Sequence, residues 1–345
     1  MGMHADHHAA EHSIMARASL YSGGVMANPS APLRRLLQTA ELALCLIALA
    51  TRAQAASRAL LIGVSDYPNL PRRLWLRAPG NDVAIMREAL LARGFSAEHI
   101  QQLVSRAGGP REPTRQNILQ ALRALQADVQ PGDSVVLYLA GHGSQQPQPA
   151  DHGKRPTEPD GLDEVFLPAD VERWNGATAE AAIPNALLDD ELAEWMDAIV
   201  DRGATVWAVF DTCHAAGMAR GRTSGVRAVS PAELGVPEPR GRPAPTRRPA
   251  PALSANRSDG RADGRALALA ARKHESTAEE WMPVGAPLGK NRLHGVFTYH
   301  LVQALKAEAQ PTLHDIEHAM RAAYAREKRT APTPQFKGDG ALRWR

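Results

Sequence analysis

Cys213 follows the apolar run Val206-Trp207-Ala208-Val209-Phe210-Asp211-Thr212, and His142 follows Ser134-Val135-Val136-Leu137-Tyr138-Leu139-Ala140-Gly141. A thiol and an imidazole are the two partners of nucleophilic acyl transfer. The thiolate attacks a carbonyl carbon, and the imidazole takes the thiol proton and later gives it to the leaving amine. Gly141 and Gly143 on either side of His142 leave room for a substrate backbone. His214 adjoins Cys213, but neighbours along an extended chain point apart, so it is not given the base role. Alone, Cys213 reads equally well as a small buried hydrophobe and His142 as a satisfied turn residue. Together on two strand ends they read as a Cys–His hydrolase.

Elements must exist that bring the two ends together. Both runs are Val-rich and uninterrupted, the pattern of strands buried on both faces. A third such run, Arg58–Gly63, precedes the turn signal Asp66-Tyr67-Pro68-Asn69. Between these strands lie amphipathic stretches. One opens at Asn81-Asp82 and stops at Gly94, the next is capped by Thr114, and another opens at Asp189-Asp190-Glu191. A short strand is expected near His99–Val104 and another at Val165–Leu167, inside a polar stretch over 144–186. Order resumes with a strand at Arg265–Ala271 and helices over Val296–Ala307 and Thr312–Arg326. Alternating strands and helices predict an α/β fold with a mostly parallel sheet, whose carboxyl edge is where ligands bind.

At 345 residues and 44% hydrophobic the chain is long enough to bury a substantial core. Net charge is only +3, much of the basic excess lies in one segment, and aromatics are 5%, which argues against a nucleic-acid surface. Met26 to Arg35, the apolar run over about 36–50 and Ala53-Gln54-Ala55 form an export-signal pattern, so 1–55 reads as an upstream extension plus signal peptide starting at Met26. The run is too short for a stable membrane span. Export to the periplasm or medium is expected, or a cytoplasmic place if the segment is no signal. Cys213 is then the single cysteine of the mature chain, so no disulfide framework exists. From 222 to 264 the sequence turns to Arg, Pro, Ala and Ser, and reads as a flexible linker between a larger part, 57–221, and a smaller one, 265–340.

Six motifs in one order, Leu61-Ile-Gly-Val-Ser-Asp66-Tyr67-Pro68, Asn81-Asp82, Ala140-Gly141-His142-Gly143-Ser144-Gln145, Asp160-Gly-Leu-Asp-Glu164, Asp189-Asp190-Glu191-Leu192 and Asp211-Thr-Cys213-His214, resemble the caspase-like cysteine peptidases (family C14), specifically the bacterial metacaspase or orthocaspase group. The resemblance extends over about 57–340 and includes Glu275-Ser-Thr-Ala-Glu279 and Gly295-Val-Phe-Thr298. It implies a caspase-like fold with about six strands, a catalytic His142 and Cys213, and an oxyanion hole from the N–H groups of Gly143 and Cys213. It further implies a monomer.

By the same resemblance, Asp82 and Asp211 line a pocket for Arg or Lys before the scissile bond, of peptide or protein substrates. Pro79 and Ala140 stand where relatives often carry Cys and Ser, so the neutral pocket walls differ. No cofactor is required on this reading. Asp163, Asp189 and Asp190 match positions linked to activation by Ca²⁺, but a further family ligand falls here on Arg220, a cation. The linker carries Arg240, Arg242, Arg247, Arg248, Arg257 and Arg261, so self-processing there is expected of an Arg-directed enzyme. Two other readings stay open. A degenerate caspase-like binding or scaffold module draws support from Ala215-Ala216 where relatives often have Ser-Gly, and a transpeptidase would use the same dyad.

Overall fold

A computed structural model describes residues 55–105, 111–148, 161–174, 176, 182–213, 226–237, 264–271, 277–283 and 292–344. The signal-like segment, His214, Arg220 and the arginines from 240 to 261 lie outside the described residues.

The three apolar runs become the centre of a six-stranded sheet. β1 (Ser57–Gly63) lies between β2 (Ile100–Val104) and β3 (Ser134–Ala140), and β7 (Thr205–Asp211) lies beyond β3. All these neighbours run parallel. β8 (Arg265–Leu269) continues the parallel set beside β7, and β11 (Gln335–Gly338) closes the edge antiparallel to it. The parts on either side of the linker thus share one sheet, and residues 55–345 form one compact unit.

Helices cover both faces, as parallel strands require. α2 (Arg115–Asp128) and α3 (Asp189–Val200) send Ile118, Leu122, Met196 and Ile199 into one core with Leu60, Ile62, Leu137 and Phe210. On the other face, α1 (Pro79–Ala92), α4 (Val296–Ala307) and α5 (Leu313–Arg326) pack Met86, Leu301 and Met320 against Leu61, Tyr138 and Trp207. Thr114 caps α2 by accepting from the Asn117 N–H at 3.3 Å, and Thr312 with Asp315 forms a capping box on α5. α1 starts at Pro79 rather than Asn81, since proline suits a first helical position.

Three departures from the sequence reading bear on the site. The polar stretch after His142 is a small antiparallel sheet of β4 (Gly143–Pro147), β5 (Leu162–Phe166) and β6 (Leu187–Leu188), in which Gln145 and Glu164 are buried because they bond to each other. A hairpin of β9 (Glu279–Met282) and β10 (Arg292–Gly295) leads into α4. Within the segment expected to be a flexible linker, 226–237 is packed: Arg227, Val229 and Leu234 are fully buried. Among the described residues no helix is long and apolar enough to cross a membrane.

Candidate active site

Register sets the frame. β3 and β7 end opposite each other, with Ala140 paired to Asp211, so His142 and Cys213 each lie two residues past the last pair. The Gly141 N–H donates to the Asp211 carbonyl, and a Cβ on Gly143 would come 2.0 Å from the Cys213 carbonyl oxygen. Only glycine permits that approach.

His142 is buried and held at three points. Its N–H donates to Tyr67 Oη at 2.8 Å, the Tyr67 ring lies 4.9 Å from its own, and Nε2 lies 2.5 Å from the Leu74 carbonyl oxygen. A carbonyl only accepts, so Nε2 carries the hydrogen and Nδ1 is the basic nitrogen. Nδ1 is buried and has no hydrogen-bond partner among the described residues. Burial pushes the His142 pKa down from 6.5 to about 4. The Leu74 and Arg227 carbonyls pull it up and the Arg227 guanidinium adds to the depression. At neutral pH the ring is an uncharged base. Cys213 is likewise fully buried; its Sγ accepts the Thr277 N–H at 2.6 Å and lies 3.8 Å from the Thr277 carbonyl oxygen.

Beside them lies a pocket of carboxylates. Asp82, on the first turn of α1, takes the Gly295 N–H at 3.1 and 3.2 Å and His294 Nδ1 at 3.0 Å. Asp211, ending β7, takes the Thr298 N–H at 3.2 Å and the Thr298 hydroxyl at 2.5 Å, at the amino end of α4 where an anion is favoured. Glu279, starting β9, takes the Ala78 N–H at 2.8 Å and the Arg77 N–H at 3.1 Å. Burial pushes the Asp211 and Glu279 carboxyls up while a guanidinium pulls them back, and the Asp82 charge adds to the rise at both.

That guanidinium belongs to Arg227. It is fully buried, Nη2 donates to Asp82 Oδ2, Nη1 lies 3.0 Å from Asp211 Oδ2, and Glu279 Oε1 is 3.8 Å from Nη2. The two nitrogens of one fork therefore meet carboxylates from two different elements. The Arg227 carbonyl oxygen accepts from the N–H of Cys213 at 3.2 Å and from that of Gly143 at 3.3 Å. These are the two donors that the sequence reading assigned to an oxyanion hole.

The sequence-derived residues distribute as follows. His142, Gly143, Cys213, Asp82 and Asp211 all surround Arg227. Pro79 opens α1 one turn before Asp82, and Ala140 ends β3 opposite Asp211; both are buried. Asp163 on β5 and Asp189 on α3 are largely buried, and both, with Asp190, already engage other groups. Among the described residues no group of three or more His, Cys, Asp or Glu side chains is arranged to hold a metal ion. Leu74, Tyr67, Arg227, Thr277, His294 and Thr298 were not singled out as site residues. Tyr67, Thr277, Glu279 and Thr298 did stand inside the recognised motifs, which is the one signal that pointed to them.

Residues 57–220 match the model of the metacaspase, peptidase C14 domain. The chain is 38% identical over 159 residues to metacaspase-1 of Candida albicans, a match spanning 46% of this chain and 32% of that one. With metacaspase-6 of Arabidopsis thaliana it shares 31% over 164 residues, 47% of this chain and 39% of the relative. The matches thus span about a third of the length of these relatives. A solved structure of a Geobacter sulfurreducens protein superposes with a TM-score of 0.52 at 19% identity, over 82% of this chain and 92% of that one, a likeness of fold alone.

Proposed function

Since residues 57–220 match the model of the metacaspase, peptidase C14 domain, we propose that the chain is a cysteine endopeptidase that hydrolyses peptide bonds after arginine, and after lysine less well. The observation that carries this reading is an arginine seated among Asp82, Asp211 and Glu279 with its carbonyl oxygen on the N–H groups of Gly143 and Cys213.

The geometry supports a stepwise mechanism. A substrate arginine fills the carboxylate pocket, which fixes its carbonyl against the two N–H donors. Nδ1 of His142, left basic because Nε2–H is committed to the Leu74 carbonyl, takes the Cys213 proton. The thiolate adds to the carbonyl carbon, and charge develops on an oxygen already facing both donors; one such donor is typically worth about 2.7–4 kcal/mol in the transition state. The imidazolium protonates the leaving amine, the C–N bond breaks, and a thioester remains on Cys213. Water, deprotonated by His142, hydrolyses the thioester and restores the thiol.

None of these steps needs a metal. The rich arginine content over 240–261 supports self-processing by the same chemistry, and the signal-like segment supports an exported enzyme. The test is hydrolysis of fluorogenic peptides ending in Arg, Lys or Asp by wild type and Cys213→Ala. Cleavage after Arg that vanishes in the variant is expected. Cleavage confined to Asp would overturn the pocket assignment, and silence of a folded, unoccluded chain would favour the binding module.

A further inference from the structure

Asp82 and Asp211 are both anchored from one short stretch, the junction of β10 (Arg292–Gly295) with α4 (Val296–Ala307). His294 Nδ1 meets Asp82 Oδ1 at 3.0 Å, and the Gly295 N–H is shared between the two Asp82 oxygens at 3.1 and 3.2 Å. Further along, Thr298 gives both its N–H and its hydroxyl to Asp211 Oδ2. The span from His294 to Thr298 therefore sets the planes of two carboxylates that arrive from α1 and β7. The junction is itself tied to α1, because the Asn81 side-chain amide donates to the Leu293 carbonyl at 2.9 Å.

His294 is the member of this set that packing does not explain. Its side chain is buried, its ring faces that of Tyr299 at 6.4 Å, and its Nε2 has no hydrogen-bond partner among the described residues. An apolar residue of similar size would fill the same space without burying an unpaired polar nitrogen. What the imidazole supplies in return is the contact with Asp82. A carboxylate oxygen accepts, so Nδ1 carries the hydrogen and Oδ1 is held. Oδ2 is then the oxygen left to face a guanidinium, as it faces Nη2 of Arg227. Without Nδ1, the Gly295 N–H alone would hold Asp82 on this side, and it is shared by both oxygens, so the carboxylate could turn. Asp211 would keep its two donors from Thr298.

We propose that His294 is the positioning residue that makes the pocket prefer arginine to lysine, by fixing the plane of Asp82 so that one guanidinium reaches Asp82 and Asp211 together. This rests on the reading of the pocket as the site for the residue before the scissile bond. An ammonium needs one well-placed carboxylate, and Asp211 remains one, so lysine loses little when Asp82 turns. Arginine loses the second arm of its fork.

The experiment uses the full chain as wild type, His294→Leu, His294→Gln and His294→Asn. Leucine has similar bulk and no donor, the glutamine amide falls nearer the place of Nε2, and the asparagine amide nitrogen falls at the place of Nδ1. Thermal melts establish that each variant is folded. The first readout is the product ratio of an Arg and a Lys peptide competing in one tube, from which displacement of Arg227 cancels. The second is the ratio of dissociation constants of the same peptides for each chain carrying Cys213→Ala, which needs no turnover. His294→Leu and His294→Gln should lower the Arg-to-Lys ratio about tenfold in both readouts, the weight of one charge-assisted contact between buried groups. His294→Asn should restore most of it. A merely structural role would weaken both peptides alike and leave the ratio where it was. Should His294→Leu fail to fold, His294→Gln carries the test. An unchanged ratio in these two, or an asparagine variant as unselective as the leucine one, would overturn the positioning role. A binding ratio that follows the series in chains that hydrolyse neither peptide would uphold it and sink the peptidase reading. A folded wild type that favours neither peptide in either readout would overturn the positioning role and the arginine pocket together.

Discussion

The fork of Arg227 turns the pocket into a quantitative statement about the residue before the scissile bond. Nη1 lies 3.0 Å from Asp211 Oδ2, while Nη2 donates to Asp82. These carboxylates come from β7 and α1 and are each fixed by other donors, so they do not converge on a single point. A lysine ammonium is one atom on a flexible stem, and it engages one of them well. The lost contact is a charge-assisted hydrogen bond between buried groups, about 1.5–3 kcal/mol. At about 1.4 kcal/mol per factor of ten, kcat/KM should fall roughly ten- to hundredfold on replacing Arg by Lys in an otherwise identical peptide. The assay is competition between the two peptides in one tube, read as the ratio of products. Both must displace Arg227 equally, so occlusion of the site cancels from the ratio. Lysine cleaved as fast as arginine would refute the two-carboxylate fork, and preference for a neutral or acidic residue would refute the pocket.

Gly295→Ala would place a Cβ 2.2 Å from Asp211 Oδ2 and 2.8 Å from Arg227 Cζ. Overpacking of that kind costs about 1–3 kcal/mol, so kcat/KM on Arg peptides should drop up to about a hundredfold, measured by initial rates on the folded variant. Tyr67→Phe leaves the buried His142 N–H without its 2.8 Å acceptor; kcat should fall with KM little changed, and the melting temperature should drop, as expected for an unsatisfied buried donor worth about 1–3 kcal/mol. The His142 pKa, depressed from 6.5 to about 4, makes the unfolded chain bind the extra proton between those values. Stability therefore rises with pH across that window, by about 3 kcal/mol, and urea melts of His142→Gln should lack this part of the slope. Hydrolysis of Arg peptides should persist undiminished in EDTA, since the proposed steps use only Cys213, His142 and the two backbone N–H groups of Gly143 and Cys213.

The sheet was legible because its central strands are unbroken apolar runs, and the strand-end places of His142 and Cys213 followed from the residues after each run. Helices with a clear cap, such as Thr114 and Thr312, were legible for the same local reason. What composition concealed was order held by backbone bonds and charge. Arg227 lies in a stretch of Arg, Pro, Ser and Ala that resembles a linker, yet its neighbours gain order by strand pairing, which no side-chain pattern encodes. β4 was hidden likewise, because Gln145 and Gln146 read as solvent-facing until Glu164 and the Ile183 N–H meet them. The role of Leu74 is a carbonyl oxygen, to which any residue type could contribute.

Hydrolysis of a fluorogenic peptide ending in arginine by the wild-type chain and by Cys213→Ala tests the peptidase assignment most directly. Release of the fluorophore after arginine that disappears with the thiol is the expected result. Release that survives Cys213→Ala, or a folded wild-type chain that cleaves nothing, would contradict it.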